Sequence, residues 1–447
     1  MKKYSSYKPS LENFIGEIPS NWECVRLGMM GVFSSSGIDK KTNDKETSVR
    51  MVNYTDIIQG RKYQPIQSGE KQYMIVSTPL SKLNEHRLLK GDMVFIPSSE
   101  TKDDLGYSSL IDFEEMDIVY SYHILRYRTN KDIYHYFKKY LVNHHSVLSQ
   151  FSRESKGTTR QIIGRNVFNN VRVIIPPFHE QEQIVKYLDD KTSIIDKLIS
   201  TKERKIEFLK EQRSSLINEV ITKGLDPNVK MKDSGVEWIG EIPESWIVSG
   251  FTRFVNIRHG FQFREFDFTD DGIKVVKITQ LDRDGYLNLD NCSYINRSRI
   301  DEFQRILILE NDILMCLTGG TIGKIIKVGK VGEPLVQNYR VGHFSSLNNQ
   351  IKNDFIFWFM SSHFMISQIF YEIRENGQPN IGIEDFRKMK LTIPPINEQQ
   401  QIVEYLNKHT QEIDDLVQME QKKIDLLKEY RQSLISEVIT GKIKVVE

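Results

Sequence analysis

IPPFHEQEQIVKYLDDKTSIIDKLISTKERKIEFLKEQRSSLINEVIT, residues 175–222, returns at residues 393–440 as IPPINEQQQIVEYLNKHTQEIDDLVQMEQKKIDLLKEYRQSLISEVIT. The two stretches align without a gap, and more than half of their positions are identical. A shorter echo precedes each globular stretch: Phe14-Ile15-Gly16-Glu17-Ile18-Pro19 recurs as Trp238-Ile239-Gly240-Glu241-Ile242-Pro243. The segments between, roughly 22–174 and 246–392, match poorly. The order is therefore globular insert, helix, globular insert, helix. A period this long, from Ile175 to Ile393, is far beyond that of a solenoid unit. It marks the duplication of a domain plus a helix, and duplication implies pseudo-symmetry.

Pro176-Pro177 and Pro394-Pro395 cannot lie inside a helix, so each helix is predicted to start just after its pair. Glu180, Glu182 and Glu398 then fall in first turns, where carboxylates complement the helix dipole. Gly224 with Pro227, and Gly441, are the stop signals. About 43 residues lie between start and stop, roughly 65 Å of helix at 1.5 Å per residue. A 3-4 spaced apolar seam is expected along each helix. In the first it is Ile184, Leu188, Ile195, Leu198, Ile206, Leu209, Leu216 and Val220. In the second it is Ile402, Leu406, Ile413, Leu416, Ile424, Leu427, Leu434 and Val438. Helices this long overshoot inserts of the size of 22–174 and 246–392, so pairing with each other is favoured over separate packing. The expected pair is antiparallel, with the inserts at opposite ends and turned to one side by a pseudo-two-fold axis.

The 447 residues allow about two to four domains, and 39% hydrophobic with 27% charged residues is ordinary for a globular chain. The expected divisions are 1–178, 179–224, 225–396 and 397–447. No apolar run approaches the roughly 18 residues of a membrane span, and no apolar stretch follows Met1-Lys2-Lys3-Tyr4. The expectation is a cytoplasmic protein without membrane association. Cys24, Cys292 and Cys316 lack metal or disulfide spacing and read as buried or inert thiols. Net charge is +1, but it is unevenly spread: residues 1–179 hold 25 Lys/Arg against 19 Asp/Glu, or +6. The helix 180–222 has 8 against 9, its copy 398–440 has 5 against 9, and 246–397 has 18 against 17. Positive charge is weighted to the inserts, a hint of an anionic partner there.

Each insert alternates short β-like runs with turns, such as Met93–Ile96, Ile118–Tyr120, Ile273–Ile278 and Ile313–Leu317. Each also has an aromatic helical stretch, Ile133–Leu141 and Phe355–Met360, which makes the inserts mixed α/β. Two polar, basic loops occupy matching places: Ser152-Arg153-Glu154-Ser155-Lys156-Gly157-Thr158-Thr159-Arg160-Gln161 and Arg374-Glu375-Asn376-Gly377-Gln378-Pro379-Asn380. Arg, Lys, Asn and Gln pair with purine edges in a major groove, while Ser and Thr hold phosphates. A second pair of loops follows a turn and strand: Pro97-Ser98-Ser99-Glu100-Thr101-Lys102 and Thr318-Gly319-Gly320-Thr321-Ile322-Gly323-Lys324. Glycine there permits close approach to a phosphate or base, and a structural tight turn is equally consistent. The candidate nucleic-acid contacts are Thr101, Lys102, Arg153, Lys156, Thr159, Arg160 and Gln161, and Thr318, Thr321, Lys324, Arg374, Asn376, Gln378 and Asn380.

Catalytic signals fail. Gly319–Lys324 has three residues between glycines, and Ile325 stands where a phosphate loop needs Ser/Thr for magnesium. Ile175-Pro176-Pro177-Phe178 lacks the polar acceptor that amino-methyltransferases place before Pro-Pro-aromatic, and Ile393-Pro394-Pro395-Ile396 lacks the aromatic too. No Gly-rich cofactor loop is present, so no cofactor is expected. His144-His145 lacks neighbours at ligand spacing, reads as surface rather than a metal site, and leaves no metal ligands to name.

The chain resembles the specificity subunit of type I restriction–modification systems. The resemblance spans nearly its whole length: the opening Ile-Gly-Glu-Ile-Pro-x-x-Trp (15–22 and 239–246), the helix start Pro-Pro-x-x-Glu-Gln-x-x-Ile and the helix end Leu-Ile-x-Glu-Val-Ile-Thr, all doubled. It implies a mixed α+β fold in which two target recognition domains, each reading half of a bipartite target in double-stranded DNA, are joined by long antiparallel coiled-coil helices. Those helices would set the spacing and dock two modification subunits, which methylate adenine. Restriction (motor) subunits would add ATP-dependent cleavage, leaving this chain non-catalytic. It also implies a DNA-proximal role for Tyr120-Ser121-Tyr122-His123 and Gln337-Asn338-Tyr339-Arg340. The alternatives are a coiled-coil adaptor with protein-binding inserts, or a fused restriction–modification enzyme, which the missing motifs oppose.

Overall fold

Two helices of 46 and 44 residues, Phe178–Lys223 and Ile396–Ile439, carry the repeated sequence. They begin directly after the two proline pairs, as a residue with no amide hydrogen requires. Gly224 and Gly441 stop them in the left-handed region, at φ of 75° and 72°. At the second stop the Lys442 amide reaches back to the Glu437 carbonyl (2.8 Å) and the Gly441 amide to Val438 (3.1 Å), a Schellman closure. The computed structural model describes residues 3–10, 15–62, 65–282, 287–373 and 380–446. The chain forms two compact units, Met1–Glu203 with Gln421–Glu447, and Arg204–Glu420. Each unit thus holds one insert, the first half of one long helix and the second half of the other.

In the first unit, Ile184, Leu188 and Ile195 share a core with Leu434, Ile435, Val438 and Ile439. Asp196 accepts two hydrogen bonds from Arg431, at 2.8 and 3.2 Å, while the Gly441 end lies by Trp22, which bonds Glu180 at the start of the first helix, so the segments run antiparallel. The second unit repeats the arrangement, with Arg213 on Asp414 at 2.9 Å and with Ile217, Val220 and Ile221 in a core with Ile402 and Leu406. Both ion pairs are partly exposed and contribute about 1 kcal/mol or less; the apolar burial dominates.

Two seam assignments need correction. Leu198 and Leu416 are exposed, at 46% and 38%. Their neighbours Ile199 and Val417 turn inward instead. Stepping by three from Ile195 and Ile413 advances about 300°, whereas stepping by four advances about 400° and stays closer to the packed face at roughly 3.6 residues per turn. Leu209, Leu216 and Leu427 are half-buried, and Ile206, Ile413, Ile424 and Leu434 are buried.

Both inserts are mixed sheet and helix. The first unit's main sheet orders Gly31–Ser34, Leu125–Thr129, Met93–Phe95, Ser108–Asp112 and Ile66–Ser68. A second sheet places Thr47–Val52 between Ile118–Tyr120, in parallel, and Met74–Thr78. The second unit keeps the plan: Val255–His259, Val341–Ser346, Ile313–Cys316 and Ile325–Lys327 form one sheet. In the other, Ile273–Val276 runs parallel to Leu335–Gln337. The sequence-predicted strands therefore exist, and the aromatic stretches end in helices Lys138–Leu141 and Asn353–Met360.

The repeated motifs are the joints between insert and helix. Gly16 and Gly240 adopt φ of 76° and 71°, which turns the chain so that Ile15, Ile18 and Trp22, and Ile239, Ile242 and Trp246, are buried. The indole N–H of Trp22 donates to Glu180 (3.1 Å) and that of Trp246 to Glu398 (3.0 Å). Glu180 also accepts from Tyr4 (2.9 Å) and Asn21 (2.8 Å). The next residue of each motif, Gln181 or Gln399, is buried. Gln181 accepts from the Tyr134 amide (2.8 Å) and donates to the Pro176 carbonyl (2.9 Å); Gln399 accepts from Lys352 (2.9 Å) and donates to Pro394 (2.9 Å). Tyr140 donates to Asp189 (2.6 Å) and Trp358 to Asn407 (3.1 Å), again at equivalent places in the two repeats.

Cys292 and Cys316 are buried, and burial pushes both thiols up; Cys24 is half-buried. Among the described residues no helix is long and apolar enough to cross a membrane, and no cluster of three or more His, Cys, Asp or Glu suits a metal ion. His144 is a correction: it is buried, and desolvation, partly offset by the Leu141 backbone, pushes its imidazole down to about 4.

Candidate nucleic-acid interface

The two loops singled out in the first insert meet. Gln161 and Ile162 pair antiparallel with Ser99 and Ser98, and the Ile163 amide bonds the Pro97 carbonyl. The second insert makes the same junction where Thr318 bridges Asn380 and the Ile381 amide bonds Leu317. Equivalent turns feed both: Gly91 and Asn311 take φ of 91° and 69°, while Asp92 and Asp312 cap the amides of Leu89 and Leu309 at 2.9 and 2.8 Å.

Beside each junction lies the end of the parallel strand pair. After Ile118–Tyr120 the chain presents Tyr122, 46% exposed, with its ring 3.8 Å from that of His123. After Leu335–Gln337 it presents Tyr339 and Arg340, with the guanidinium 5.3 Å from the ring and Nε donating to the tyrosine hydroxyl at 2.9 Å. The Tyr122 amide bonds the Ile38 carbonyl (3.0 Å), and the Tyr339 amide bonds the Phe261 carbonyl (3.0 Å). Each unit therefore sets a tyrosine and a nitrogen-rich side chain against the loop that follows its first sheet strand. Gly260 is required there, since a Cβ would come 2.1 Å from the Gln337 carbonyl oxygen.

In the first unit the charges converge. Burial depresses the His123 imidazole, and the positive charges of Arg160 and Lys40 depress it further, against the pull of Asp39. Arg160 donates through Nε to Ser98 (3.3 Å), and Arg165 donates to Ser35 (3.3 Å). The sequence had given no weight to the segment Ser35–Lys40 or to Phe261. The signal was the turn glycine, Gly37 or Gly260, closing a strand before polar or aromatic residues.

The remaining candidates divide. Lys156, Thr159 and Arg160 are exposed on one loop, and Asn380 is exposed in the other unit. Thr101 donates to Asp104 (2.6 Å), within its own turn. Lys102 and Arg153 line a cleft of about 780 Å³ with Tyr140, Asn143, Thr192 and Arg431. Two candidates are corrected. Gln161 is buried, its amide engaged by Ser155 (3.1 Å) and the Gly157 carbonyl, because a strand residue beside Ser99 faces inward. Lys324 directs its ammonium at the Leu281 carbonyl and holds that loop. Thr318 and Thr321 are half-buried around the turn Gly319–Thr321, a structural tight turn. Arg374, Asn376 and Gln378 lie outside the described residues.

The type I restriction modification DNA specificity domain matches this chain twice, over residues 19–208 and 243–427. The MjaVIII type I specificity subunit of Methanocaldococcus jannaschii is 28% identical over 295 residues, 65% of this chain and 67% of that one. The putative MjaX specificity subunit of the same organism is 23% identical over 442 residues, 97% of both chains. A solved structure from work on assembly and conformational transition of the type I R-M system superposes with a TM-score of 0.68 at 15% identity, over 95% of this chain and 99% of that one.

Proposed function

The chain belongs to the type I restriction modification DNA specificity family, and from that membership we propose that it is the subunit through which a type I complex recognises a bipartite target in double-stranded DNA. It is a non-catalytic subunit; methyl transfer and cleavage reside in the modification and restriction subunits with which it assembles.

The observation that carries this reading is the doubled site. Each unit ends its parallel strand pair in a partly exposed tyrosine with His123 or Arg340, beside the junction that holds Arg160 or Asn380. Donors and aromatic faces of this type read base edges, while exposed Lys156 and Thr159 suit phosphates. Apart from the shared tyrosine, the two sites carry different side chains, so each unit reads a different half-sequence. The first recognition domain is taken as residues 1–178 and the second as 225–396, with the helices 179–224 and 397–447 as frame.

Apolar side chains exposed on the helices also come in pairs at equivalent positions of the two repeats: Leu198 with Leu416, and Phe208 (62%) with Leu426 (55%). Doubled apolar positions fit two copies of one partner, the modification subunit. The place of action is the cytoplasm, with the DNA. The experiment is assembly with the cognate modification subunits, then methylation of random-sequence duplex and sequencing of the modified adenines. A split, asymmetric target supports the reading. Assembly that leaves DNA unmodified, or a methylation pattern unchanged when this subunit is omitted, sinks it.

A further inference from the structure

Arginine reads guanine end-on, its two terminal nitrogens donating together to O6 and N7 in the major groove. The match is chemical: guanidinium has only donors, and guanine shows two adjacent acceptors there, whereas adenine interposes the N6 donor. Such a reader needs Nη1 and Nη2 unengaged and the plane of the fork held by something other than DNA. Resting on the function proposed above, we infer that Arg340 and Arg160 are the guanine readers, one for each half of the target.

Both arginines are exposed and held in the same way. Arg340 donates through Nε to the Tyr339 hydroxyl at 2.9 Å, with its guanidinium lying against that ring. Arg160 donates through Nε to the Ser98 hydroxyl at 3.3 Å. Among the described residues, no hydrogen-bond partner engages Nη1 or Nη2 of either side chain. Five other arginines of the inserts are turned to structure, and of those left exposed Arg160 and Arg340 are the pair that lies at the doubled junction with Nε anchored. Arg128 forks onto buried Asp92, Arg50 onto Asp117, and Arg299 onto Asp267 and Glu302. Arg126 and Arg258 direct terminal nitrogens at backbone carbonyls.

The anchors also argue for a base over a phosphate. A pinned, planar fork loses little freedom on making two parallel hydrogen bonds, which is what selective reading requires. Phosphates are served as well by flexible cations such as the exposed Lys156.

The test uses the assembled methyltransferase, with single-molecule sequencing of modified adenines in random duplex. The wild-type target is expected to contain a fixed guanine in each half. Arg340→Ala should relax one guanine position in the second half and leave the first half intact, and Arg160→Ala should do the converse. Discrimination at the affected position should fall roughly tenfold to a hundredfold. Arg340→Gln should move the preference at its position toward adenine, whose N6 and N7 suit a side-chain amide. Unchanged melting temperatures would place these effects at the interface. A split wild-type target whose guanine positions survive both alanine variants overturns the assignment while leaving the proposed function standing. So does uniform weakening across all sequences with the salt slope reduced by about one, the mark of a phosphate contact. A wild-type target without a split removes the function and this assignment together.

Discussion

Replacing Gln399 by leucine keeps the volume of a fully buried side chain and deletes its amide. The native amide accepts from the Lys352 backbone (2.9 Å) and donates to the carbonyls of Gln350 (2.9 Å) and Pro394 (2.9 Å). It thereby ties the loop before helix Asn353–Met360 to the start of the second long helix. Each backbone group stranded without a partner costs about 1–3 kcal/mol. Two of the three contacts are only part-buried, so the lower half of that range, about 1–2 kcal/mol each, applies and the sum is roughly 3–6 kcal/mol. A unit of this size shifts by about 2–4 °C per kcal/mol, so melting should fall by roughly 6–24 °C. The assay is thermal unfolding of the full chain, with hydrogen exchange read at the Lys352 amide. Gln400→Leu is the control: its neighbour amide bonds only side chains, Glu404 and Lys352, and its loss should stay within about 0.5 kcal/mol. If the two variants melt together with equal protection at Lys352, the repeated Glu-Gln is not the joint described.

Ile424→Asp should lose several kcal/mol, since it puts an unpaired carboxylate in a 1%-exposed seam position, whereas Leu416→Asp should melt like wild type. Equal melting of the two would refute the seam register. His144→Ser should flatten stability between about pH 6.5 and 4. A buried histidine held at about 4 leaves stability flat above its unfolded value near 6.5, and destabilises by a few kcal/mol, an order-of-magnitude figure, as pH falls through this window. The equivalent Ser362 already caps its helix, accepting from the Met365 amide, so the variant should also gain stability at neutral pH; urea unfolding across pH reads both. A chain of residues 1–227 should dimerise in solution. Its own Ile217, Val220 and Ile221 are the repeat equivalents of Ile435, Val438 and Ile439, and they can cover Ile184 and Leu188 of a second copy. A monomer by sedimentation would count against that interchange.

The frame was legible because repetition isolates what must be kept. Proline pairs and stop glycines placed both helix ends to within about two residues, since backbone chemistry alone decides them. In the expected seam, Leu198 and Leu416 point outward. A fixed step of three there outran the helix period, and the same error recurred in both copies because both carry leucine. The candidate site was legible only in outline. The two loops expected to matter in the first insert do meet at Ser98, yet Gln161 and Lys324 are engaged within the fold, since composition does not reveal which way a loop side chain turns. The resemblance already matches Tyr120–His123 with Gln337–Arg340, and so His123 with Arg340, while Gly37 and Gly260 mark the two turns. That Ile38 and Phe261 face those stretches is visible only in the backbone hydrogen bonds they accept from Tyr122 and Tyr339.

The central claim is that one chain carries two unlike readers on a duplicated frame. Its most direct measurement is the sequence around every adenine modified by the assembled methyltransferase, compared before and after residues 22–174 are replaced by residues 246–392 of the same chain. The account predicts an asymmetric split target for the native protein and an interrupted palindrome, built from the second half-site and its inverse, for the replaced one. A native target that is a single continuous block, or a replaced protein that keeps the native asymmetric target, would contradict it.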